Sequence, residues 1–355
     1  MLPLSPPNLP ERRSADAVGP ANMPHHCSED EIIELIKRRS PGRNRLIETG
    51  IGDDAAVVRA ARPGELWVVT TDMLLEGIDF RRHWATAAQI GHKALAANLS
   101  DLAAMGAVPR FYTVALALPR GISRSWITGL FGGIKDLADR YGAVLIGGDL
   151  SSSRSGICIS ITAIGAMQAR RPVCRSGGRP GDLLCVTGIL GCSAAGLKLL
   201  RSGVCRGRRV PERLALQVHR IPEPRCHAGI WLAACGLVHC MMDLSDGLSV
   251  DLPRLCRASR TGATIHAHKL PIFQGSAAWG CDPVTAALHG GEDFELLFAV
   301  APKDVATLTK RYPKHLPPLS VIGALTAGAG VRMVRSPGAR PQKLAPGGFD
   351  HFRRS

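Results

Sequence analysis

Asn98-Leu99-Ser100-Asp101-Leu102-Ala103-Ala104-Met105-Gly106-Ala107 is the stretch on which the reading of this chain turns. It closes a longer run, Thr86 to Met105, rich in Ala and Leu at helical spacing, with Thr86 placed to cap the helix. Asp is a poor helix-interior residue and is rarely buried without a partner. Leu95, Ala96, Ala97, Leu99, Leu102 and Ala103 nonetheless surround Asp101 with apolar side chains. Asn98 lies three residues earlier and shares its face. A buried helix with an amide and a carboxylate on one face points to a site rather than to a solvated surface.

Outward from that helix, other acids stand beside turns or apolar runs. Asp53 and Asp54 sit in Gly-Asp-Asp-Ala-Ala, Asp72 ends Val-Val-Thr-Thr-Asp, and Asp149 ends Ile-Gly-Gly-Asp. Asp243 and Asp246 frame Asp-Leu-Ser-Asp-Gly-Leu, between a strand and a helix, and Glu292 and Asp293 follow Gly290-Gly291. Taken singly, a turn explains Gly52-Asp53-Asp54 and a strand end explains Thr70-Thr71-Asp72. If they converge, they repel one another unless a cation sits between them. Hard Mg²⁺ ions bound to substrate phosphates are the economical explanation. Arg175-Ser176-Gly177-Gly178 offers a guanidinium and backbone donors suited to a phosphate, and serves equally well as a linker.

The 355 residues suggest two domains. Apolar residues make up 45% and charged residues 21%, an ordinary globular balance. Aromatics at 5% fit poorly with a protein that stacks nucleic-acid bases. The net charge of +15 comes from scattered Lys and Arg, whose densest run, Arg206-Gly207-Arg208-Arg209, reads as a loop. The 11 cysteines include no CxxC pair, which argues against a disulfide framework and a zinc site and for the cytoplasm. Cys158 and Cys185 lie in apolar runs as small core residues. No apolar stretch reaches the length of a membrane span. Residues 1–27 read as a disordered tail or an overextended start, not a secretory signal.

The pattern predicts a helix opening at Ser28 and strands over Ala55–Arg59 and Leu66–Thr71, joined by a turn at residues 61–65. Strand Phe111–Leu118, helix Ser123–Tyr141, strand Ala143–Ile146 ending at Gly147-Gly148-Asp149, and strand Gly156–Gly165 complete a first domain, 28–167. A polar stretch, Gln168 to Asp182, marks the boundary. The second domain, 168–355, holds strands Leu183–Thr187, Met241–Asp243, Thr264–Ala267, Phe294–Val300 and Leu319–Ile322. Its helices are Ser193–Arg201, His227–Cys235 and Leu248–Ser259. There is no Walker A motif, kinase-type Gly-rich loop, His-Arg-Asp segment or Gly-x-Ser-x-Gly elbow.

In their joint order these motifs, with Arg-Ser-Gly, Gly-Gly-Glu-Asp-Phe-Glu-Leu and a terminal Gly-Phe-Asp-His-Phe, resemble those of the thiamine-monophosphate kinases. These belong to the wider aminoimidazole-ribonucleotide synthetase-like ATP enzymes. The resemblance runs from Glu29 to about Phe352. It implies an α/β fold of two domains, the first a mixed sheet that pairs in a homodimer. It implies ATP-dependent phosphorylation of thiamine monophosphate to thiamine diphosphate, a phosphotransfer whose acceptor is itself a phosphate. Asp54, Thr70, Thr71, Asp72, Asp101, Asp149, Asp243 and Asp246 would hold several Mg²⁺ ions. Gly148, Asp149, Arg175 and Ser245 would contact ATP, with Asp72, Asp149 and Arg175 closest to the chemistry. Glu292 and Phe349 would face the thiamine, the ring of Phe349 through cation–π attraction to the thiazolium.

Two positions depart from the family pattern. Asp79 stands where the family usually carries a substrate-contacting His, two residues beyond a Gly. Gly132 stands where an aromatic often holds the nucleotide. The implied nucleophile, a phosphate monoester with its second pKa near ~6, is largely dianionic at neutral pH and needs no strong base. The alternatives are another ATP-dependent enzyme of the same superfamily with a different acceptor, and a non-catalytic nucleotide-binding protein. Cys27 lacks the context of a selenophosphate synthetase, and the chain ends without the terminal Cys of the hydrogenase-maturation relatives. No nucleic-acid or membrane partner is expected.

Overall fold

The computed structural model describes residue 33 and residues 46–60, 66–167 and 171–350. The expected tail, the helix from Ser28 (apart from Ile33), the turn at 61–65 and the terminal His351-Phe352 lie outside them. Two sheets carry the fold. The first runs in the order β1 (Ile47–Thr49), β2 (Ala56–Arg59), β3 (Leu66–Leu75), β6 (Cys158–Met167), β4 (Ala107–Leu118), β5 (Val144–Ser152). Only β4 and β5 pair in parallel there. The second has seven strands, in the order β13 (Gln342–Lys343), β12 (Val331–Val334), β9 (Gly262–His266), β11 (Leu319–Thr326), β7 (Leu183–Thr187), β10 (Leu296–Val300), β8 (Val238–Asp243). It is antiparallel except between β12 and β9.

Helix α1 (Ala87–Ala104) is the central element. Thr86 caps it, its hydroxyl accepting from Gln89 N while the Gln89 side chain accepts from Thr86 N. Ile90, Leu95, Leu99 and Leu102 are buried on it, but so are Lys93, Asn98 and Ser100, which marks a helix covered on more than one side. It packs on α2 (Arg124–Tyr141), on β3 and β6, and also on α5 (Cys226–Ala234) and β8 of the second domain. The core around it draws on both domains, including Leu99, Ile159, Leu232, Met241 and Phe298. Helices α3 (Cys192–Arg201), α4 (Val210–Arg220), α6 (Leu248–Ser259), α7 (Pro283–His289) and α8 (Pro302–Arg311) complete the second domain.

Most predicted elements appear within a few residues of their expected bounds. One differs in a way that matters. The strand expected to stop at Ile146 continues to Ser152, so Gly147-Gly148-Asp149 lies inside β5 rather than in a loop after it. Parallel pairing to β4 carries the strand through the glycines, with Gly148 opposite Val114 and Asp149 opposite Ala115. A Cβ at Gly148 would come 2.0 Å from the Val114 carbonyl, so the close approach at this glycine is to the neighbouring strand. Cys185 is buried as expected, whereas Cys158 is only half-buried.

Candidate active site

Helix α1, the β1–β2 turn and the end of β8 bring Asp101, Asp54 and Asp243 together. Each offers an oxygen, and these atoms lie within 4.8 Å of one another. Asp243 is the last residue of β8 and accepts from Ser100 Oγ at 2.6 Å. Thr70 on β3 donates to Asp101 Oδ2 at 2.5 Å. Asp72, two residues along the same strand face, is tied to α1 through its N–H, which donates to Asn98 Oδ1 at 3.2 Å. Asn98 and Asp101 share a face of α1, and both side chains meet β3.

The electrostatics of this cluster are those of an acidic site compensated only in part, by Arg175. Burial raises the Asp101 carboxyl well above its ordinary range, and Asp72, Asp243 and Asp54 raise it further. Asp243 is raised likewise, by burial and then by Asp54. Asp72 is pushed up to about 6, by burial first and by Asp246 and Asp79 beyond it, with a hydrogen bond to Asp101 opposing. Asp54 Oδ2 is buried with no hydrogen-bond partner among the described residues. A buried, unpaired carboxylate oxygen facing two other carboxylates fits a hard divalent cation and little else.

Arg175 closes one side. Its guanidinium donates to Asp54 Oδ1 at 2.7 Å, and its backbone N–H donates to Asp53 Oδ1 and Oδ2 at 3.1 and 3.2 Å. Burial opposes its charge, but Asp54 and Asp53 raise its pKa overall. Its Nε is buried and unpartnered among the described residues. Asp53 is lifted to about 6 by burial and by Asp54. Asp246 pairs with Arg254 Nη1, which also donates to Asp251 at 3.2 Å. Asp251 in turn accepts from the Asp246 and Gly247 N–H groups, both at 3.0 Å, and fixes the turn into α6.

A second group lies beside the first. Glu292 Oε1 pairs with Lys93 Nζ at 2.6 Å, and Oε2 lies 3.3 Å from His219 Nδ1. Lys93 Nζ also donates to the Asp79 carbonyl at 3.1 Å. Asp79 Oδ2 accepts from Leu75 N at 2.7 Å and so pins the turn that leaves β3. Phe349 is half-exposed, and its N–H donates to the Asp246 carbonyl at 3.1 Å, which docks the C-terminal motif against the turn before α6. Ser245 lies in that turn, its carbonyl accepting from Glu292 N at 2.7 Å.

Not every expected site residue joins these groups. Thr71 follows Thr70 and so faces the other side of the first sheet, where its hydroxyl donates to the Ile161 carbonyl. Asp149 aligns across the strands with Ala115, Ser160 and Met73, and Met73 is 57% exposed on that outer side. Gly132, on α2, has open space around the position of a side chain. Lys93, Ser100, His219, Asp251 and Arg254 escaped the sequence reading. Lys93 carries the signal that identified Asp101, a charge inside an apolar helix; the others depend on contacts distant in sequence.

The profile of the AIR synthase related protein N-terminal domain matches residues 52–167, and that of the C-terminal domain matches residues 179–335. Thiamine-monophosphate kinase of Bacillus subtilis is 33% identical over 92% of this chain and 99% of its own length. The Escherichia coli K12 enzyme of that name is 35% identical over 92% and 98%. A solved structure of AaThiL complexed with AMPPCP and TMP superposes with a TM-score of 0.79 at 31% identity, covering 91% of this chain and 97% of that one.

Proposed function

We propose that this chain, which belongs to the thiamine-monophosphate kinases and shares their ATP-dependent phosphorylation of thiamine monophosphate, moves the γ-phosphoryl group directly and in line, with Mg²⁺ assistance. The convergence of Asp54, Asp101 and Asp243, with an unpaired buried oxygen on Asp54, carries this reading. Asp54, Asp101, Asp243, Asp72 and Thr70 are the residues that would hold the metal, with Asp246 at the edge. Bound there, Mg²⁺ supplies charge neutralisation to two polyanions that would otherwise repel. Arg175 buttresses the cluster through Asp54 and has Nε left for a phosphate oxygen. Ser245 and Gly148 belong to the proposed ATP contacts. Glu292, Phe349 and the remaining oxygen of Asp79 belong to the thiamine end. A dianionic acceptor phosphate explains why no side chain need act as a strong base.

Thr71 and Asp149 enter this reading through a homodimer. β5 is the outermost strand of its sheet, and Val144, Ile146 and Leu150 on it are 57%, 55% and 73% exposed. An open edge with an apolar row is a template for pairing with a second chain. Asp149 faces outward on that strand, and Thr71 lies three strands away on the same outer face. No helix among the described residues is long and apolar enough to cross a membrane, and residence in the cytoplasm is part of the proposal.

The test is turnover of ATP with Mg²⁺ and thiamine monophosphate, followed by chromatography of thiamine diphosphate. Product that forms with Mg²⁺ and vanishes with a chelator is expected. ATP consumption without thiamine diphosphate would overturn the proposal and direct attention to Asp79 and a different acceptor.

A further inference from the structure

Helix α1 presents a second polar stripe. Lys93, Ser100 and Ala103 are seven and three residues apart and so share a face, distinct from that of Asn98 and Asp101. This stripe meets the second domain. Ser100 Oγ donates to Asp243 at 2.6 Å, and Lys93 Nζ pairs with Glu292 at 2.6 Å. At its end Gly229 packs so closely that a Cβ there would lie 2.0 Å from the Ala103 carbonyl. Seven helical residues span about 10 Å. One rigid helix therefore grips the acid cluster at one point and Glu292 at another.

Lys93 is only 5% exposed, a rare state for lysine unless it is paired. Its ammonium joins the Asp79 carbonyl of the first domain to the Glu292 carboxylate of the second. Glu292 has φ of 64°, a left-handed conformation uncommon for a residue with a side chain. Its N–H is held by the Ser245 carbonyl and its carboxylate by Lys93. A buried ion pair generally adds little stability over an apolar pair of similar volume. What this pair does supply is a fixed direction for the carboxylate.

We propose that Lys93 is a positioning residue for the acceptor substrate, holding Glu292 and the Asp79 turn at a set distance from the acid cluster. This rests on the assignment of Glu292 and Asp79 to the thiamine end. In Lys93→Met, the KM for thiamine monophosphate rises about tenfold or more while the KM for ATP stays within about twofold. In a Glu292→Gln background, adding Lys93→Met raises the thiamine monophosphate KM by less than about threefold, because the group being positioned has already lost its charge. A parallel rise in both KM values, no rise in either, or a further full tenfold rise in the Gln background overturns the role. Glu292→Gln leaves the Lys93 ammonium without its carboxylate. If either single variant does not fold, the double variant, which leaves no unpaired buried ion, is therefore read against the wild type. A thiamine monophosphate KM raised about tenfold or more with the ATP KM within about twofold is then expected, and a parallel rise in both overturns the role. A wild-type protein that consumes ATP without making thiamine diphosphate would instead overturn the functional reading.

Discussion

The cluster of Asp101 and Asp243 and the pair Asp293 and Glu295, just ahead of β10, look alike in sequence: short acidic motifs beside apolar runs. Burial acts on both regions, lifting Asp101 and Asp243 well above their ordinary range and Asp293 to about 7. What comes next differs. Around Asp101 the next influences are three more carboxylates. Around Asp293 they are the N–H groups of Gly191 and Ser193 at the start of α3, which donate to its carboxylate at 2.6 and 3.2 Å. Glu295 takes a two-pronged Arg225 at 2.8 and 2.6 Å and the Thr187 hydroxyl at 2.6 Å. Carboxylates whose lone pairs are satisfied by the protein hold the fold; carboxylates left facing one another await a ligand. The motif names the residue type, and the partners name its role.

The contrast is broken most directly by Asp101→Asn. Loss of one ligand of the cluster is expected to cost about a thousandfold in turnover, ~4 kcal/mol of barrier. Removing one of several mutually repelling charges should leave the metal-free melting temperature unchanged or higher. Steady-state kinetics and thermal melting in chelator check both halves. A variant that loses stability and keeps its turnover would place Asp101 with the structural acids.

Glu295→Gln is the reverse experiment. Arg225 would keep one weak partner in a largely buried setting, and breaking a buried pair from one side costs ~3 kcal/mol. The expected result is a marked fall in melting temperature, with the Mg²⁺ dependence of the surviving folded enzyme unchanged. Gly188 belongs to this arrangement: at φ of 61° it leaves room for the Glu295 carboxylate, where a Cβ would lie 1.9 Å from Oε1. Denaturant titration together with a Mg²⁺ activation curve reads both effects.

These differences also explain what was legible in the chain. Asp101 could be read because an acid inside an apolar helix is a contradiction visible locally. Lys93 poses the same contradiction, with Ile90 and Ala94 beside it, but its partner lies in the other domain. Ser100 and Asp243 are 143 residues apart, and only the packed helix brings them together. The Gly147-Gly148 pair reads as a strand end because glycine weakens isolated strands, whereas pairing with β4 carries this one through. The two faces of β3 follow from strict alternation, so separating Thr70 and Asp72 from Thr71 needed only the knowledge of which face α1 covers.

The pH dependence of the metal-free protein sharpens the contrast. Asp53 and Asp72 are raised to about 6, and Asp293 to about 7. A carboxyl raised on folding binds more protons folded than unfolded, so its contribution is fullest below its unfolded pKa and is lost as pH rises through the folded value. Melting temperature in chelator should therefore fall by a few degrees between about pH 4 and pH 7. Added Mg²⁺ should recover stability more at pH 8 than at pH 5, because cations bind the deprotonated cluster. Equal recovery at both values would contradict a carboxylate metal site.

The smallest expected effect belongs to Asp293→Asn. A carboxyl whose pKa has risen to about 7 spends much of the neutral range protonated, and an amide reproduces that neutral form. It retains one acceptor for the two N–H groups at the start of α3 and loses the charge that favours a helix N-terminus, a change of ~0.5–1 kcal/mol at pH 8 and less at pH 5. One titrating group also disappears, so the slope of melting temperature against pH becomes shallower. The gain from Mg²⁺ should be that of the wild type at every pH, because no metal is assigned to this acid. Melting curves in chelator and in Mg²⁺ across the same pH range provide the measurement. A Mg²⁺ response altered by Asp293→Asn would mean that the satisfied acids and the cluster form one electrostatic unit.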